Sequence, residues 1–84
     1  MQPNPRILVA DANRAVAGEM RRILEGAGME VEAADSLEAG LQRVRHATFD
    51  VVVSAVGSLD GEQLCRRAKE INGTLQVVLL FEPG

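Results

Sequence analysis

The amino-acid sequence predicts an α/β domain, a parallel sheet doubly wound with helices. Three observations lead there. Short apolar runs alternate with segments whose apolar residues recur every three or four positions. The linkers between them are only a few residues long. The resulting order, βαβαβαβ, separates each strand from the next by a helix. Such strands run parallel, joined by right-handed crossovers that lay helices on both faces of the sheet.

Arg6-Ile7-Leu8-Val9-Ala10 is apolar without alternation, the pattern of a strand buried on both faces. Asp11-Ala12-Asn13 breaks it and supplies helix-capping side chains. Val16, Met20, Ile23, Leu24 and Ala27 then fall on one stripe of a helix, which Gly26 and Gly28 end, Gly28 as the left-handed stop. Met29 to Ala34 alternates at period two and predicts a short strand. Asp35-Ser36 caps a second helix in which Leu37, Leu41 and Val44 share a face. Phe49 to Ala55 is the third strand, emptying into Val56-Gly57. Asp60 opens a third helix with Leu64, Ala68 and Ile71 inward and Arg66, Arg67, Lys69 and Glu70 outward. Asn72-Gly73 turns the chain into a fourth strand, Leu75 to Phe81.

The 84 residues make one domain, 1–84, with no repeat and no low-complexity tract. A chain of this size buries roughly 60–65% of its unfolded surface, so its stability margin is thin. Phe49 and Phe81 are the only aromatics, which leaves an aliphatic core. A net charge of −3 argues against a binder of phosphate backbones; Arg21-Arg22 and Arg66-Arg67 belong to solvated helix faces. The single Cys65 excludes an internal disulfide and fits a reducing cytoplasm. The opening Met1-Gln2-Pro3-Asn4-Pro5 has no signal-peptide core, and no segment has membrane-spanning length, so a cytoplasmic domain is expected.

The last strand is the anomaly. Val77, Val78, Leu79, Leu80 and Phe81 need cover that three helices scarcely supply, and at a sheet edge their unpaired backbone groups template association. The chain reads as the N-terminal piece of a longer protein and as a homo-oligomer formed through that strand.

"RILVADAN", "EGAGMEVEAADSLEAGLQRV", "FDVVV", "DGEQLCRRAKEIN" and "LQVVLL" resemble, in order and spacing, the CheY-like receiver domain of bacterial two-component response regulators. The resemblance runs from Arg6 to Phe81 and implies a flavodoxin-like sheet, here incomplete, without the family's fifth strand and last two helices. It also implies a phosphorelay chemistry. In the family an aspartate ending the third strand takes a phosphoryl group, and two acidic residues ending the first strand hold Mg²⁺. A Thr or Ser ending the fourth strand and a Lys ending the fifth contact the phosphoryl oxygens. Metal and lysine neutralise charge gathering on the transferring oxygens.

Carried onto this chain, the set fails. Asp11 keeps one acidic position, with Ala12 in the other; the acceptor position is Ala55, the Thr/Ser position is Phe81, and the lysine position lies beyond Gly84. The loop from acceptor to Asp60-Gly61 is two residues shorter than the family's and lacks its proline. A methyl has no lone pair for phosphorus, and one carboxylate is a poor cage for a hard divalent cation. The expectation is a degenerate, non-enzymatic pseudo-receiver without Mg²⁺ or other cofactor. It would work by self-association or protein partners, regulating an output domain such as a transcription factor, with no nucleic-acid or membrane contact of its own. The alternatives are a phospho-acceptor using a non-standard residue and a purely structural oligomerisation domain.

Other residues have plainer readings. Ser54, next to Ala55 on a strand, faces the opposite side, where a backbone-bonded core hydroxyl is expected. Asp11 is a cap for the first helix or a loop residue, with a vestigial metal ligand as the alternative, and Glu82 is a solvated carboxylate near the chain end. His46 sits at a helix C-terminus, where a cation is commonplace. Cys65 is a small semi-buried thiol. Ala12-Asn13-Arg14-Ala15 lacks the glycines of a dinucleotide-binding turn.

Overall fold

The computed structural model describes residues 4–55 and 61–80. Along them run β1 (Arg6–Ala10), α1 (Arg14–Gly26), β2 (Glu30–Ala34), α2 (Leu37–His46), β3 (Val51–Ala55), α3 (Gly61–Ile71) and β4 (Gln76–Leu80). The four strands form one parallel sheet in the order β2-β1-β3-β4. This is the flavodoxin-like arrangement without its later elements, and β4 lies at an edge. Asp60, Phe81 and Glu82 fall outside the described residues. No helix among the described residues is long and apolar enough to cross a membrane.

Alternation along the strands sorts the core into two layers. Leu8, Ala10 and Val52 meet Leu41, Val44, Leu64 and Ala68 of α2 and α3 on one face. Ile7, Val9 and Val31 meet Ala17 of α1 on the other, with Met20, Leu24, Val51 and Val53 at its margin. The α2–α3 layer is the tighter. A Cβ at Gly40 would stand 3.1 Å from Leu64 Cδ1, closer than side-chain carbons normally approach, so the missing methyl lets the two helices close over a fully buried leucine.

Local signals set the helix ends. Asn13 caps α1, its Oδ1 accepting the N–H groups of Ala15 and Val16 at 3.0 and 3.3 Å. Ser36 caps α2 by accepting from the Ala39 N–H at 3.1 Å. Gly28 has φ +92°, the left-handed residue that frees the chain to enter β2. Phe49 is buried just ahead of β3, and Arg6 lies over its ring at 5.5 Å while ion-pairing with Glu32 at 3.3 Å. Asp50 accepts the Arg6 backbone N–H at 2.8 Å, tying the start of β3 to the start of β1.

Three expectations need correction. The buried arc of α1 is Ala17, Met20 and Leu24; Val16 and Ile23 are 40% and 65% exposed, and Ala27 is exposed as well. Periodicity put all the apolar residues on one stripe, but α1 packs chiefly on β2 and β1, so its flank toward β3 stays largely in water. Ile71, expected inward, is 43% exposed at the last turn of α3. Ser54 is fully buried on the α2–α3 face, yet its hydroxyl finds no hydrogen-bond partner among the described residues.

Cys65 is buried more completely than expected, and burial pushes its thiol above the ordinary value. Folding therefore favours the protonated thiol. The resulting stabilisation is complete below the unfolded-state pKa, 9.0 for a free thiol, and is lost as pH rises through the higher folded value. At pH 8, alkylation of the native chain by iodoacetamide is expected to be far slower than of the chain in urea; equal rates would show an accessible thiol.

Equilibrium urea unfolding checks the core. Leu64→Ala is expected to cost about 2–5 kcal/mol, as an aliphatic side chain lost from a closed layer does. Ser54→Ala is expected to be neutral or stabilising, since it removes a buried hydroxyl whose desolvation is uncompensated.

Candidate functional site

In an open parallel sheet, ligands bind beyond the carboxyl ends of the strands, where successive crossovers part to opposite sides. Here that point lies between β1 and β3. α1 carries the chain from β1 to β2 on one side, and α2 carries it back across to β3. Ala10 and Ser54 are register partners, so the residues that follow them, Asp11 and Ala55, come side by side at the sheet's carboxyl edge. β4 ends alongside, Ala55 pairing with Leu80.

Asp11 is buried, at 6% exposure, although it belongs to a loop. Its N–H donates to the Ala34 carbonyl at 3.0 Å, extending the β1–β2 ladder by one bond. Its Oδ1 accepts the Asn13 N–H at 2.9 Å. That turn delivers Asn13 to the helix start, so Asp11 braces the loop while Asn13 does the capping. Ala12 is exposed between them. Of the four pocket positions, the structure therefore brings Asp11 and Ala55 together and leaves Ala12 pointing at solvent. Phe81, the fourth, lies outside the described residues.

The donor set around this point is poor in oxygen. Among the described residues no three His, Cys, Asp or Glu side chains converge as a metal cage. A divalent ion such as Mg²⁺ needs several oxygen ligands, and Asp11 supplies the sole carboxylate of the β1 end, with one oxygen already accepting from the backbone. These residues do not fit the metal well.

A cleft of about 420 Å³ opens on the far side of Asp11, over the end of β2. Its floor is small, with Ala17, Gly18, Ala33 and Ala34, and its walls carry Arg14, Arg21 and Arg43. Each guanidinium is matched by a carboxylate: Arg14 with Asp35 at 3.0 Å, Arg21 with Glu25 at 3.4 Å, Arg43 with Glu32 at 2.9 Å. The cleft thus has no surplus positive charge for an anion. Only the Arg21–Glu25 pair, four residues apart on one helix, had a sequence signal; the other partners meet through the fold. His46 is exposed at the end of α2, its Nδ1 3.0 Å from the Gln42 carbonyl, with no part in either place.

The chain matches the model of the response regulator receiver domain over residues 7–82. No curated protein matches it in sequence. Among solved structures it resembles a receiver domain protein (CheY-like) from Methanospirillum hungatei, at 24% identity and TM-score 0.89, covering 96% of this chain and 66% of that one. A receiver domain protein from Clostridium thermocellum shares 28% identity at TM-score 0.84, over 92% of this chain and 64% of its own. A response regulator from Burkholderia pseudomallei, solved with a phosphorylated aspartic acid, a calcium ion and citrate, shares 20% at TM-score 0.85, over 96% and 49%. The chain thus spans at most about two thirds of the length of these structures.

Proposed function

This chain belongs to the receiver-domain family of response regulators, and we propose that within it the chain is a pseudo-receiver, a signalling module that has kept the scaffold and lost the phosphoryl chemistry. It relays signals by touching itself and other proteins, in the cytoplasm, and regulates an output domain. It has no catalytic residue and no resident Mg²⁺.

One observation carries this reading: Ala55 ends β3 directly beside the end of β1, the neighbourhood in which a receiver's acceptor belongs. The Burkholderia pseudomallei regulator bears a phosphorylated aspartic acid; an alanine methyl offers no lone pair to form that bond. The other departures support it. Asp11 lacks an acidic neighbour, and its carboxylate holds the loop backbone together. Phosphoryl transfer depends on positioning and on neutralising charge, and among the described residues no cluster of three acidic, His or Cys side chains could hold a cation. Ser54 is no substitute acceptor, because its hydroxyl is fully buried on the α2–α3 face, away from solvent-borne donors.

Without a phosphoryl trigger, whatever shifts this scaffold between states must bind one state better than the other. β4 supplies one contact surface. It is an edge strand with Val78 43% exposed and Val77 and Leu79 half-buried, and such edges pair readily with another chain.

Incubation with acetyl phosphate and Mg²⁺, followed by intact-mass measurement, is expected to leave the mass unchanged, and an added phosphoryl group would overturn the reading. Light scattering at micromolar concentration is expected to find species heavier than the 9.0 kDa chain.

A further inference from the structure

The cleft over the end of β2 lies on the far side of the sheet from β4. α1 and α2 pack on opposite faces of the sheet, and the cleft runs between them around the free edge of β2. Gly18 and Arg21 border it from α1, Ala39 and Arg43 from α2, and Ala33 from the strand. At about 420 Å³ it has the size of a small-molecule site.

Three features bear on what it could hold. Gly18 stands inside α1, where glycine is less favourable than alanine, yet a Cβ there would meet nothing within 4 Å. No neighbour requires its bareness, and a longer side chain would fill the cleft. The second feature is backbone. Glu30 donates its N–H to the Pro5 carbonyl and Ala34 accepts from the Asp11 N–H, so alternate residues of β2 turn toward β1. Ala33, between them, turns both its N–H and its C=O to the open edge, a donor beside an acceptor. The third is the arginines. Arg14 gives both Nε and Nη2 to Asp35, at 3.1 and 3.0 Å, and Arg43 donates to Glu32 at 2.9 Å. A guanidinium held edge-on by a carboxylate keeps its flat faces for stacking on a ring. With each of these charges matched, the cleft favours an uncharged guest.

We propose that the cleft binds an uncharged planar heterocycle of the nucleobase class. The ring lies on the alanine and glycine floor against the guanidinium of Arg14 or Arg43. Its amide-like edge, an acceptor beside a donor, pairs with the Ala33 backbone. A net charge of −3 disfavours a phosphate backbone, so the guest is a free base or nucleoside and not a nucleic-acid strand. Touching α1, β2 and α2 together, it stabilises whichever state of the scaffold holds the two helices at that spacing. The site is separate from Ala55, so its failure leaves the pseudo-receiver reading standing.

The test is amide NMR of the whole chain titrated with adenosine and with uridine to millimolar concentration. The expected result is a saturable shift of the Gly18, Ala33 and Ala39 signals with at least one of them. Gly18→Leu, which fills the cleft, is expected to weaken binding roughly tenfold or more. Its melting temperature should be unchanged or raised, since leucine suits a helix better than glycine. Arg14→Gln is the second variant; that side chain is 85% exposed, so the fold survives its loss while binding weakens severalfold. Absence of a saturable shift with either nucleoside would overturn the site, as would affinity unchanged in both variants. Tighter binding of a short single-stranded oligonucleotide than of either nucleoside would overturn the free-ligand assignment.

Discussion

Everything in this molecule depends on β1 and β3 lying side by side in the middle of a parallel sheet. Right-handed crossovers leave a strand in one rotational sense, so α1 and α2 must pass to opposite faces once β2 and β3 flank β1. That single constraint buries β1 from both sides, parts the loops above it and makes the carboxyl edge a place where a site can form. Among the described residues it also leaves α1 alone on one face, with α2 and α3 together on the other.

The better-covered face is the more closely packed one. Leu64 is closed in by Leu8, Val52, Leu75 and the bare backbone of Gly40, and a layer this tight leaves little room for adjustment. Ser54 sits in the same layer with its hydroxyl unbonded, a local cost accepted on the more firmly packed side. Over β3 and β4 the other face is thinly covered, and its valines remain partly in water. Stability and availability for contact are thus separated across the thickness of one sheet.

On the proposed reading, in which no phosphoryl group acts, this separation leaves a face available for contact. Receiver-type switching needs an element with two states and a ligand that prefers one of them. Where the ligand is another protein surface, the burial of exposed apolar area takes the place of the charge that a phosphoryl group would bring. At the carboxyl edge the Asp11 carboxylate is bonded into its own loop through the Asn13 N–H.

The sequence by itself determined the strand-helix order, the caps at Asn13 and Ser36, the left-handed Gly28 and the alanine at the end of β3. Each of these is local: a capping oxygen reaches its own helix, a glycine sets its own φ, and an acceptor position is counted along one strand. The tertiary structure alone decided that Val16, Ile23 and Ile71 stay in water, that Ser54 lacks a partner, and that Arg14 finds Asp35 across two loops. Periodicity says which residues share a stripe. Only the number of strands a helix covers says how wide a stripe can be buried, and that width is set by neighbours far away in the chain.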